Sequence, residues 1–255
     1  MRTNLLMSDP GKYEEIILKI FQRHYKSGLN KVYFSRDELR EVAKEYRIRN
    51  VPDIIYYFTS GRGDLPEIIR LEGFQSINIV KDGYELVKEP QFIELEKVEQ
   101  ERLDFEVPEV VKDFLREDEQ AYLTLLRYGD VFSRFLGKKT YHLQAHLRSS
   151  DPHYGEIEIN DLYVTEDREL VVVEVRGPVE KVDRLKIKRQ AETAKRLYPQ
   201  AKAIIPLAVN IKKERNIIDI IQLDERFNVK RARRYILPFA PKLPPTQKEL
   251  LEYML

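Results

Sequence analysis

The chain has 255 residues, of which 42% are hydrophobic and 34% charged, against roughly 25% charged in an ordinary soluble domain. That apolar content excludes disorder throughout, and the length allows one large domain or two modest ones, since single cores rarely grow beyond about 250 residues. Cysteine is absent, which excludes disulfides, thiolate zinc sites and cysteine nucleophiles.

Lys and Arg total 44 against 43 Asp and Glu, but the balance is uneven along the chain. Glu89 to Gln120 carries twelve acidic and four basic residues, Lys181 to Lys202 carries eight basic and two acidic, and a second basic cluster runs from Glu225 to Arg234. Basic surface beside a carboxylate-bearing segment suits a partner with a phosphate backbone. No apolar run approaches the roughly 18 residues that span a bilayer, and Met1 to Pro10 lacks the apolar centre of a signal peptide, so the expected location is the cytoplasm with no membrane partner.

Tyr13 to Tyr25 has the period of an amphipathic helix, with Ile16, Ile17, Ile20 and Phe21 on one side. Ser35 followed by Glu38 forms a capping box and opens a helix to Tyr46. Pro52 suits the first turn of a third helix, Asp53 to Thr59. Ser76 to Val80 and Tyr84 to Val87 flank Lys81-Asp82-Gly83, a hairpin signal. Three helices and a hairpin resemble a winged helix, and that resemblance implies that Arg47, Arg49 and Arg62 lie against DNA. Pro90 to Pro108 has no clear period and marks a domain boundary.

From Asp118 the apolar period predicts a long helix, broken near Gly129 and ending at Gly137. Thr140 to Arg148 alternates as a strand, which separates His142 from His146 too widely for a helical zinc pair. Gly155-Glu-Ile-Glu-Ile-Asn-Asp161-Leu-Tyr-Val164 and Leu170-Val-Val-Val-Glu174-Val-Arg176 then read as a strand hairpin, and the second strand is apolar enough to be buried. A carboxylate in a buried strand is costly unless paired or bound to a cation, so Glu174 invites a divalent metal. A basic helix from Val182 to Tyr198 and strands at Lys202 to Leu207 and Ile217 to Ile221 follow.

These residues resemble the PD-(D/E)xK nuclease superfamily, which includes many restriction endonucleases. Asp161 falls at the family's Asp position, twelve residues separate it from Glu174, and Glu174-Val175-Arg176 stands where Glu-x-Lys is expected. The resemblance covers about Asp118 to Leu207. It implies an α/β (α+β) fold with a restriction-endonuclease-like mixed sheet flanked by helices, which here follows the N-terminal winged-helix-like segment read from the first 90 residues. The corresponding division is 1–90, an acidic connecting segment 91–117, a nuclease-like domain 118–240 and a tail 241–255 with a short helix from Pro245.

The implied activity is a metal-dependent DNA endonuclease of restriction type, with Asp161 and Glu174 holding Mg²⁺ or Mn²⁺ and Glu158 nearby as a further carboxylate. Arg176 departs from the family's lysine. A guanidinium can offset charge on a phosphate but cannot act as a base, so Lys186, or secondly Lys188, is the candidate donor from the helix, and Gln190 falls where some members carry a helix glutamine. Arg148 and Lys188 join the expected DNA contacts, and a palindromic duplex would suit a homodimer. The alternative is a DNA-binding protein in which the nuclease core survives as a scaffold without cleavage.

Overall fold

The computed structural model describes residues 10–116 and 118–242. In chain order the elements are α1 (Pro10–His24), β1 (Lys31–Ser35), α2 (Arg36–Glu45), α3 (Val51–Thr59), α4 (Glu67–Leu71), β2 (Ser76–Val80), β3 (Gly83–Val87), β4 (Gln100–Arg102), α5 (Glu109–Phe114), α6 (Glu119–Tyr128), α7 (Val131–Leu136), β5 (Thr140–Asp151), β6 (Gly155–Thr165), β7 (Leu170–Arg176), α8 (Arg184–Leu197), β8 (Ile204–Ile211), β9 (Ile217–Leu223) and β10 (Val229–Ile236). The fold is mixed α+β, with a three-stranded antiparallel sheet and a seven-stranded mixed sheet. The helix expected from Pro245 lies outside the described residues. Among the described residues no helix is long and apolar enough to cross a membrane.

The chain divides into two compact units, one of Met1–Glu94, Arg148–Ile157 and Glu180–Arg189, the other of Leu95–Leu147, Glu158–Val179 and Gln190–Leu255. In the first, the Ser35 hydroxyl accepts from the Glu38 amide at 3.1 Å, so the expected cap fixes the start of α2. The sheet order is β1-β3-β2, with β1 pairing to β3 from Lys31↔Val87 to Ser35↔Gly83. Strand β1 was not anticipated, because five residues with one exposed face leave little periodic signal. Ile16, Ile20, Phe34, Val42, Ile54, Phe58, Phe74 and Leu86 close this unit's core.

In the second unit, Asp118 caps α6 by accepting from the Ala121 amide at 2.7 Å. The helical run then breaks at Gly129 and Asp130, the latter in the left-handed region at φ 47°, before α7. Every residue of β7 is buried. Its Val171, Val173 and Val175 pack with Leu126, Phe132, Leu207, Ile220 and Tyr235 into one core. Each such side chain removed from water stabilises by about 1.5–3 kcal/mol, so this face of the sheet is committed to burial.

Most of the basic cluster at 225–234 becomes strand β10, and two of its five cations are spent inside the unit. Arg234 holds Asp219 at 2.7 and 3.0 Å, and Arg233 reaches Glu101 at 3.1 Å and Glu99 at 3.4 Å. Glu99 and Glu101 belong to the acidic segment, part of which forms β4 and pairs in parallel with β10. The opposite charge imbalances of these two segments therefore meet each other.

Candidate functional site

The β6–β7 hairpin positions both motif carboxylates. Its turn closes with the Thr165 amide donating to the Glu169 carbonyl at 2.8 Å, and the ladder runs from Val164↔Leu170 to Asp161↔Val173. Directly opposed residues on antiparallel strands point to the same face, and successive residues to opposite faces. Asp161 therefore shares the face of Val173, while Glu174 projects from the other. The spacing in sequence is as expected, but the structure does not bring the Asp161 and Glu174 carboxylates together.

Asp161 is fully buried and accepts three hydrogen bonds. The Arg127 guanidinium donates to Oδ2 at 2.7 Å, the Tyr163 hydroxyl donates to Oδ2 at 2.7 Å, and His142 Nε2 lies 2.7 Å from Oδ1. Arg127 comes from the last turn of α6, and His142 from β5. Burial lowers the Arg127 pKa, but the Asp161 carboxylate outweighs it and holds the guanidinium above its ordinary value. Burial and then the same carboxylate push the Tyr163 phenol far up. Asp161 is thus the centre of a neutralised network.

Glu174 is also fully buried, on the α8 side. Gln190 donates to its Oε2 at 2.6 Å and to the Glu158 carbonyl at 2.8 Å, and Arg176 Nε lies 3.1 Å from Oε1. Asn160, one register step beyond Asp161, is buried as well, and its side-chain oxygen accepts from the Val175 amide at 3.3 Å. The Glu158 side chain is bound by His146 Nδ1 at 2.7 Å. Three of the expected residues, Glu174, Arg176 and Gln190, do converge.

The candidate lysines are placed differently. Lys188 pairs with Glu89 at 3.4 Å, and the Lys186 amide is tied to the Asp183 carboxylate at 3.1 Å where α8 begins. Arg47 and Arg49 are exposed before α3, whereas Arg62 lies 3.7 Å from Asp53 and 4.5 Å from the Tyr56 ring. Arg148 is exposed on β5. Arg127 was missed because a cation at the end of a helix reads as solvated surface, Tyr163 because it continues the apolar pattern of its strand, and His142 because it reads only together with His146 as a metal pair.

The residues do not fit a cation shared by Asp161 and Glu174. The carboxylates lie on opposite faces, each is matched by an arginine, and no group of three or more His, Asp or Glu suited to a metal occurs among the described residues. A hard cation needs several oxygens on one centre. No protein-family model matches the chain, and no curated protein or solved structure matches it significantly.

Proposed function

We propose that this chain is a DNA-binding protein on a restriction-endonuclease-like scaffold whose two-carboxylate cation trap is not assembled. The observation that carries this reading is the hairpin register, which separates Asp161 from Glu174 and leaves each beside its own guanidinium. Both charges are already compensated, and a metal would have to displace an arginine from a buried site.

The order α1-β1-α2-α3-α4-β2-β3, in which α4 is a single short turn of helix, with sheet order β1-β3-β2 supports a winged-helix-like first unit. In this reading Arg47 and Arg49, exposed in the turn before α3 and without a carboxylate partner among the described residues, contact duplex phosphates. The test is fluorescence anisotropy on a labelled duplex across a salt series. Replacing both Arg47 and Arg49 with Ala should weaken binding and lower the slope of log affinity against log salt by about 2. An unchanged slope would remove them from the interface.

A second reading, the endonuclease itself, is favoured by the convergence of Glu174, Arg176, Gln190 and Asn160 on one face of the sheet. It requires plasmid nicking in Mg²⁺ that disappears in Glu174→Ala. We expect no nicking, and nicking with that sensitivity would overturn the binding-only reading. A homodimer belongs to this second reading and is tested by sizing on a palindromic duplex.

A further inference from the structure

The loop between β9 and β10 is five residues long, Asp224-Glu-Arg-Phe-Asn228, and it is tightly pinned. Asp224 Oδ1 accepts from the amides of Arg226 at 2.9 Å and Asn228 at 2.8 Å, and the Asp224 carbonyl accepts from the Phe227 amide at 3.0 Å. This holds Phe227 at φ 60°, the left-handed region that glycine or asparagine adopts more readily. An aromatic residue kept in that conformation is a reason to ask what its ring does.

The Phe227 ring lines a cleft of about 630 Å³ with Tyr198, Lys195 and Lys202. An adjoining cleft of about 810 Å³ shares the lining residues Ala203, Ile204, Asp224 and Glu225 and adds Arg226, Lys230 and Arg231. Arg231 differs from its neighbours on β10. Arg233 and Arg234 are held by carboxylates, whereas Arg231 donates to the neutral Gln222 side chain at 2.7 Å and its guanidinium stands 4.5 Å from the Phe135 ring centre. Among the described residues Arg231, Arg226 and Lys230 have no carboxylate partner. Burial pulls the Arg231 pKa down, as it does for a cation taken partly out of water without a counter-ion. Four acids line the clefts: Asp224 is engaged by the loop amides and Glu169 by Lys138 at 2.6 Å, while Glu192 and Glu225 stand against six lysines and arginines in the same lining.

We propose that these two clefts form a seat for single-stranded nucleic acid, with phosphates against Arg231, Lys230 and Arg226 and a base stacked on Phe227 and Tyr198. The seat rests on the nucleic-acid reading above and adds the strand form and the residues that receive it. Unpaired cations together with aromatic faces are the combination that binds a single strand, whose bases are free to stack as those of a duplex are not. The Arg231 guanidinium, positioned by Gln222 and the Phe135 ring, supplies a planar partner for a phosphate.

The test uses the full chain and two labelled probes of equal length, an oligothymidine single strand and a duplex, each titrated over a salt series. Phe227→Gly removes the ring while suiting the backbone, and should weaken single-strand binding by about tenfold with duplex binding unchanged. Arg231→Gln should lower the single-strand salt slope by roughly 0.7. If Phe227→Gly lowers the melting temperature, Phe227→Leu replaces it, keeping bulk without an aromatic face. Single-strand affinity that is insensitive to both positions, while the Arg47 and Arg49 variant loses duplex binding, overturns the seat and leaves the reading above intact. Binding of neither probe by the wild-type chain overturns both.

Discussion

Asp161→Asn distinguishes a structural carboxylate from a metal ligand by the sign of its effect on stability. In the wild type, Asp161 accepts from Arg127, Tyr163 and His142 at 2.7 Å each, and is fully buried. Asparagine keeps one carbonyl oxygen but turns an NH₂ toward groups that donate, and leaves the Arg127 charge without its counter-ion. Losing a charge-assisted hydrogen bond costs about 1.5–3 kcal/mol, and an uncompensated buried charge adds to this. Because the Arg127 side chain keeps 27% exposure, water recovers part of the loss. The net expectation is a destabilisation of about 3 kcal/mol, or roughly 6–12 °C in melting temperature for a chain of this size. Urea denaturation and a thermal scan without divalent metal measure it directly. The double variant with Arg127→Met should lose less than the sum of the single losses, since both changes break the same pair. A carboxylate reserved for a cation behaves oppositely, its removal relieving repulsion or unmet charge and raising stability in the absence of metal. An unchanged or higher melting temperature for Asp161→Asn would refute the network as the role of this residue.

Asp219 is fully buried between Arg234 at 2.7 Å and Lys212 at 2.9 Å. Burial raises its pKa, and the two cations outweigh that and hold it below the ordinary carboxylate value. The stabilisation is therefore complete above the unfolded pKa near 4 and is lost as pH falls through the lower folded pKa. Asp219→Asn should flatten this acid limb in denaturation curves taken from about pH 5 downward, and an unaltered limb would exclude Asp219 from it. A Cβ at Gly83 would stand 2.3 Å from the Phe34 carbonyl oxygen, a backbone atom in the paired strand. Gly83→Ala should thus cost the first unit about 1–3 kcal/mol by chemical denaturation, and a neutral result would mean that β1 shifts without penalty.

Most elements were legible because their signals are local. Ser35 and Asp118 cap helices, Asp82-Gly83 turns a hairpin, and Gly129 interrupts a helical period, each through interactions spanning a few residues. Strands β1, β4 and β10 were not read, the last because a run of arginines suggests a solvated surface until acids from a distant segment are brought against it. The apolar sequence of β7 also foretold its burial and that Glu174 needs either a partner or a cation; the expectation favoured the cation, and the structure supplies Arg176. The family resemblance names Arg176 and Gln190 beside Glu174, but that they neutralise and hydrogen-bond it directly is decided by long-range packing of the helix against the strand.

The chain's letters determined that two carboxylates lie on neighbouring strands with twelve residues between them, and that an arginine stands two residues after the second. They did not determine which face each carboxylate takes, since a hairpin with the same residues can pair in registers that differ by one position and exchange the faces of every side chain. The closed turn from Thr165 to Glu169 and the pairing of Val164 with Leu170 make that choice, setting Asp161 opposite Val173. Parity along the ladder, fixed by packing the valines of β7 into one core, is what sends Asp161 to Arg127 and Glu174 to Arg176.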